Sequence, residues 1–271
     1  MIITNCRKKM THLCSVIWIG YLAAIISGIA MSLFGGGGSI ITIPVLAYLF
    51  GITDAAILTS YSLFAVSAGA WFGSIQKWKD KLIDMQALWW FGLPSILSIF
   101  LTRFYLVPLI PDYLFDISTD QLLLVIFALF MAVAGVAMLK DRKEINTTKS
   151  SKTNLVLNGL LIGVLSGVLG AGGGFLIVPA LLFFGNIPLK TAVGTSMLII
   201  ATNTSIGFGA DLINGLQIDW PFILGYLGAM ILGVIIGNSL TNKIAAGPLK
   251  KSFGWFIIAM GLFIVIKELI L

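Results

Sequence analysis

Gly35-Gly36-Gly37-Gly38-Ser39-Ile40-Ile41-Thr42-Ile43-Pro44 is answered in the second half of the chain by Gly170-Ala171-Gly172-Gly173-Gly174-Phe175-Leu176-Ile177-Val178-Pro179. Each run follows a long apolar segment and opens a short apolar one. Near-pure glycine is costly inside a bilayer, because an unpaired backbone group in hydrocarbon costs several kcal/mol. A break kept at one place in both halves implies that its exposed backbone is used.

Around these runs the chain is 58% hydrophobic and 10% charged over 271 residues, with a mean hydropathy of +1.03. No water-soluble domain hides that much apolar surface, so the composition describes a multi-pass protein of the cell membrane. The net charge of +6 does not point to nucleic acid. Its lysines and arginines sit mainly in short loops between apolar segments, the usual orientation signal of membrane proteins. Cys6 and Cys14 lack metal-ligand spacing and read as two ordinary thiols. Arg7-Lys8-Lys9 before an apolar stretch imitates a signal peptide, but that stretch, about 13–34, is too long for one and reads as a retained helix.

Hydropathy and breakers predict an all-α fold of ten apolar segments, at about 13–34, 39–50, 54–74, 85–110, 119–139, 154–170, 174–185, 189–210, 220–241 and 252–270. Eight are long enough to span. Segments 39–50 and 174–185 amount to ~18 Å of helix against a hydrocarbon core of ~30 Å, so they read as half-helices whose glycine-rich starts lie at depth. Pro44 and Pro179 weaken each at the same place, and setting one on the other fixes the register of an internal repeat. A one-residue gap brings Thr59-Ser60 onto Thr195-Ser196. The expected organisation is a first transmembrane repeat, 1–140, a polar basic linker, 141–152, and a second repeat, 153–271.

Loop charge orients the halves. Loop 74–84 carries Lys77, Lys79 and Lys81, whereas its counterpart 210–219 has only Asp211 and Asp219. Loop 110–120 has Asp112, Asp116 and Asp120, whereas 241–251 has Lys243, Lys250 and Lys251. Equivalent loops of opposite bias face opposite sides, which makes the repeats inverted, five segments plus five. The same count places the N-terminus outside, against the sense of Arg7, Lys8 and Lys9.

The doubled element, GGGGSIITIP and GAGGGFLIVP, resembles the sulfite exporter TauE/SafE family of membrane permeases. Gly185-Asn186-Ile187-Pro188-Leu189-Lys190-Thr191-Ala192-Val193-Gly194-Thr195-Ser196 is similar to the family's stretch after each short helix. The first half departs from it, with Ser39 where the second has Gly174 and Thr53 where the second has Pro188. The resemblance implies export, or sometimes import, of sulfite, sulfonates and other small sulfur-containing or organic anions.

The residues themselves point to anion binding. A helix N-terminus offers unpaired N–H donors and about half a positive charge, so it holds an anion without a basic side chain. Two such starts, one in each half, make Gly36, Gly37, Gly38, Ser39, Gly172, Gly173 and Gly174 the candidate substrate-binding residues, with Ser60, Thr195, Ser196 and Asn203 from adjoining segments. Helix packing is the competing reading of these glycines, and it is the reading adopted for the row Gly159, Gly163, Gly167 and Ala171. Arg103, deep in 85–110, either attracts the anion or snorkels to an interface beside Tyr105. No cofactor or metal is expected. The partners expected are the small anion and the lipid bilayer, with a homodimer left open. Two rivals stand against a carrier: an anion channel, and a membrane-embedded enzyme, for which a single histidine and no paired intramembrane carboxylates leave little chemistry.

Overall fold

Three aspartates fix where helices begin. Asp54 Oδ1 accepts from the N–H groups of Ala56 and Ile57 at 2.9 and 3.0 Å, Asp84 Oδ1 from Ala87 at 3.0 Å, and Asp219 Oδ1 from Phe222 at 3.2 Å. Each carboxylate occupies an N-cap and satisfies donors that have no intrahelical partner. The computed structural model describes residues 2–106, 113–114, 117–140, 151–169, 174–213 and 215–270. All ten expected segments form helix within it.

The first half contains α1 (Ile2–Phe34), α2 (Gly37–Pro44) and α3 (Ala55–Lys79). A single rod then runs from α4 (Met85–Ala87) through a π-helical turn, Leu88–Gly92, into α5 (Leu93–Leu101) and a second π turn, Thr102–Leu106. A two-residue antiparallel pairing, β1 (Tyr113–Leu114) with β2 (Ile117–Ser118), precedes α6 (Thr119–Leu139). The second half contains α7 (Lys152–Leu169), α8 (Gly174–Phe183), α9 (Leu189–Ile213), α10 (Trp220–Lys243) and α11 (Ala246–Ile270). Residues 141–150 of the linker 141–152 lie outside the described residues, as do Gly170 to Gly173 of the second glycine run.

Among the described residues, Ala56–Lys79, Leu189–Ile213 and Trp220–Thr241 are each long and apolar enough to cross a membrane. The outer surface is apolar too: α1 turns Trp18, Leu22 and Ile26 outward on one face, 67, 59 and 57% exposed. This is the arrangement of a chain bathed in lipid rather than water.

Two elements end later than the hydropathy suggested. α3 runs on to Lys79 and α9 to Ile213, so Lys77 and Asp211, expected in loops, lie in the last turns of these helices. Hydropathy falls where a helix meets water, but its backbone hydrogen bonds continue. Lys77 is fully buried there, its Nζ without a hydrogen-bond partner. The weakening at Pro44 is visible as a π turn, Val45–Leu49, because proline has no N–H to give to the preceding turn.

Glycine lets helix backbones touch, and two of these pairs run parallel. A methyl group at Gly159 would stand 2.5 Å from Phe91 O, and one at Gly163 2.5 Å from Ser95 O, so α7 lies directly on the α4–α5 rod. Gly28 meets Met230 O and Gly233 meets Ile25 O in the same way between α1 and α10. α3 and α9 are antiparallel, with Gly73 beside Met197 and Gly207 beside Leu63. α6 and α11 cross at Gly135 and Gly254.

Candidate functional site

α2 begins at Gly37, two residues before the expected Ser39, and no side chain caps it. The contrast with the aspartate caps of α3, α4 and α10 is sharp. Its first turn therefore lacks the capping carboxylate that the other three starts carry. The break shrinks to Gly35-Gly36. Gly35 takes φ +70°, the left-handed region that costs a residue with a side chain about 1–2 kcal/mol. A methyl group there would also strike Ser196 Oγ and stand 2.8 Å from Val178 Cγ2.

The start of α8 meets the first break. A Cβ at Gly174, the first residue of α8, would lie 3.3 Å from Gly36 Cα and 2.6 Å from Ile200 Cδ1. The starts of α2 and α8 are therefore side by side against α9. Ser196, Ile200 and Asn203 follow one another at helical spacing along the α9 face that Gly35 and Gly174 touch. Gly35 to Gly38, Gly174 and Ser196 are all buried.

Side-chain chemistry at this junction is sparse and uncharged. Ser196 Oγ donates to Val193 O at 2.8 Å. The Asn203 amide stands out: its nitrogen and oxygen are both shielded, and neither has a hydrogen-bond partner. A buried amide left unpaired costs about 1–3 kcal/mol, so such a group calls for a ligand or water. Among the described residues no group of His, Cys, Asp or Glu is arranged to hold a metal.

Two other candidates lie elsewhere. The Ser60 hydroxyl donates to the Asp211 carboxylate, tying the start of α3 to the end of α9. Thr195 Oγ1 accepts from Asp84 N at 2.9 Å and so fastens the α3–α4 loop. Tyr61 OH does the same at 2.8 Å for the N–H of Asp219, the counterpart of Asp84 in the other half. Arg103 falls in the π turn Thr102–Leu106, and its side chain, like that of Ser39, lies outside the described residues.

A polar cluster that the sequence reading did not single out surrounds α2. Ser27 Oγ donates to Gly38 O at 2.9 Å, Thr42 Oγ1 donates to the same oxygen at 2.8 Å, and the two hydroxyls are 3.0 Å apart. Fully buried Tyr226 stands beside them. In the register that sets Pro44 on Pro179, the counterparts of Ser27, Thr42 and Tyr226 are Ile162, Ile177 and Phe91, all buried and all apolar. Gly38 is also pressed onto α1, since a methyl group there would lie 2.6 Å from Met31 Cβ. The signal that could have found this cluster is a Ser and a Thr in otherwise aliphatic helices.

Comparison with known proteins agrees with the architecture. The chain is 33% identical over 256 residues to a probable membrane transporter protein of Xylella fastidiosa (strain 9a5c), covering 88% of this chain and 90% of that protein. It is 29% identical over 267 residues to a probable membrane transporter protein of Haemophilus influenzae, covering 92% and 96%. A further relative, the probable membrane transporter protein YdhB of Bacillus subtilis, is 27% identical over 85% of this chain and 93% of its own length. No solved structure matches the chain. The model of the family described as sulfite exporter TauE/SafE matches residues 20–264, and the chain belongs to the sulfite exporter TauE/SafE family.

Proposed function

We propose that this chain is a secondary transporter that exports small sulfur-containing or organic anions, sulfite and sulfonates among them, by alternating access. The anion is held between the starts of α2 and α8. The observation that carries the reading is the meeting of the Gly36 and Gly174 backbones, with the unpartnered Asn203 amide one helical turn beyond Ile200 on α9. Two helix starts supply main-chain donors and partial positive charge, and Asn203 supplies a neutral amide donor. Such a site takes a small oxyanion and leaves a cation unfavoured.

Helix pairing supports an inverted repeat. Exchanging each segment for its counterpart turns the α1–α10 pair into α7 with the α4–α5 rod, and leaves α3–α9, α6–α11 and α2–α8 as pairs of themselves. Gly28 on Met230 O becomes Gly163 on Ser95 O, both partners exchanged in the register that sets Pro44 on Pro179. A two-fold of this kind lets the halves trade conformations around a fixed site, which is how inverted-repeat carriers expose one site to each side in turn. The family description and the relatives' names favour a transporter over an enzyme.

No carboxylate lies at the glycine junction, and the Asp211 carboxylate is in the last turn of α9. Export therefore runs on the membrane potential, worth about 2.3 kcal/mol per elementary charge per 100 mV, without a coupled proton. Sulfite counterflow in proteoliposomes tests the whole reading. Saturable exchange that follows an imposed potential is expected. Unitary currents would assign a channel instead, and flux driven only by a pH gradient would remove the uncoupled mechanism.

A further inference from the structure

A cavity of about 520 Å³ lies behind α8, walled by α6 (Phe130, Val133, Ala134, Ala137), by Ile162 of α7, and by Leu176, Pro179, Ala180 and Phe183 of α8. Its lining is apolar except at Lys140, the residue that follows the end of α6. Phe130, Val133 and Phe184 are exposed, so it opens onto the outer, lipid-facing surface of the bundle. Along α6 the wall runs from Phe130 to Lys140, ten residues or ~15 Å, which is half the ~30 Å hydrocarbon core and hence the depth of one leaflet.

Charge marks the polar end. Lys250 Nζ donates to Lys140 O at 3.3 Å, placing a second ammonium at the rim. In sequence Lys140 also opens the linker that continues with Arg142, Lys143, Lys149 and Lys152. A soluble anion gains nothing from the apolar walls, and an uncharged lipid gains nothing from the cationic rim.

We propose that this groove binds an anionic phospholipid, one acyl chain lying along α6 and α8 and the headgroup phosphate at Lys140. The chemistry is that of an amphiphile with a single negative end: burial of methylene groups against the aliphatic and aromatic wall, and a phosphate contact at the leaflet surface. The bound chain would touch the half-helix whose first residue is Gly174. The assignment itself stands on the groove and its rim and does not require the transport reading.

Native mass spectrometry of the delipidated full chain, titrated with phosphatidylglycerol and with phosphatidylcholine of the same acyl composition, tests the proposal without any flux measurement. Phosphatidylglycerol is expected to be retained about fivefold better, the preference of roughly one surface lysine. Lys140→Gln should narrow that preference, with Lys250 keeping the remainder. Val133→Trp, a substitution at the exposed mouth that leaves the core untouched, should lower retention of both severalfold. Lys79→Gln, exposed on α3, should change neither. Equal retention of the two lipids by the unaltered chain would overturn the proposal. So would an undiminished preference in Lys140→Gln, unaltered retention in Val133→Trp, or a lipid-free dimer in which a second copy covers the groove.

Discussion

Replacing Asn203 by leucine should make the protein more stable and less active at once. The amide nitrogen and oxygen of Asn203 are shielded and unpaired, so the unliganded protein bears their desolvation cost of about 1–3 kcal/mol. Leucine has nearly the same size and no polar atoms, and it removes that cost without opening a cavity. Stability should rise by about the same 1–3 kcal/mol, or roughly 2–4 °C in unfolding temperature for each kcal/mol. Binding moves the other way. A hydrogen bond to a charged group contributes about 1.5–3 kcal/mol, so its loss weakens the anion by roughly 10- to 100-fold. Thermal unfolding in detergent reads the first quantity, and the concentration dependence of sulfite uptake into proteoliposomes reads the second. A variant that unfolds earlier than the parent, or that transports with an unchanged half-saturating concentration, would refute the reasoning. In the first case Asn203 would be a structural amide, and in the second the anion would lie elsewhere.

Gly35→Ala should cost about 2–5 kcal/mol in thermal unfolding, from the left-handed backbone and from contact with Ser196 Oγ and Val178. Adding Ser196→Ala should return the contact part and leave the backbone part. Gly163→Ala should lower stability by about 1–3 kcal/mol because Ser95 O lies 2.5 Å from the new methyl group, whereas Gly209→Ala, with nothing within 4 Å, should be neutral or slightly stabilising; urea or thermal unfolding of the pair separates packing glycines from incidental ones. Hydrogen exchange should be slower at Ile40–Thr42 than at Leu176–Val178, since Ser27 and Thr42 both hold Gly38 O while their counterparts are isoleucines; Ser27→Ala with Thr42→Val should bring the two rates together.

What was legible in the sequence was whatever repeats or punctuates. The first glycine run located the break at Gly35-Gly36, and helix forms in all ten apolar segments, because hydrocarbon permits little else for so apolar a chain. Gly159 and Gly163 were read as packing glycines, and both lie on neighbouring backbone. Helix ends were less legible, since Lys77 and Asp211 continue their helices past the point where hydropathy falls. Side-chain contacts between halves were not legible. Thr195 and Ser60 carry hydroxyls in the corresponding segments of the two halves, and nothing local reveals that one fastens Asp84 and the other Asp211, each far away in sequence. Ser196 and Asn203 differ from Thr195 in the side of α9 they occupy, which emerges once Gly35 and Gly174 fix the register.

The two halves share their joints and differ in their polarity. The joints are alike: a hydroxyl from the opposite half holds the N–H of Asp84 and of Asp219, and Gly28 and Gly163 each sit on a carbonyl, the two carbonyls being counterparts in the repeat. Joints this alike are what the proposed exchange of conformations between the halves requires. The surroundings of the half-helices are unlike. Around α2, two hydroxyls converge on Gly38 O, and breaking them in a dry interior leaves buried polar groups unpaired. Around α8 the same positions are Ile162 and Ile177, which hold by dispersion and are indifferent to small rotations, and an open groove lies behind them. An element fixed by directional bonds resists displacement more than one fixed by apolar contact beside free volume. On the proposed alternating-access mechanism, α8 is the element expected to move and α2 the one expected to stay.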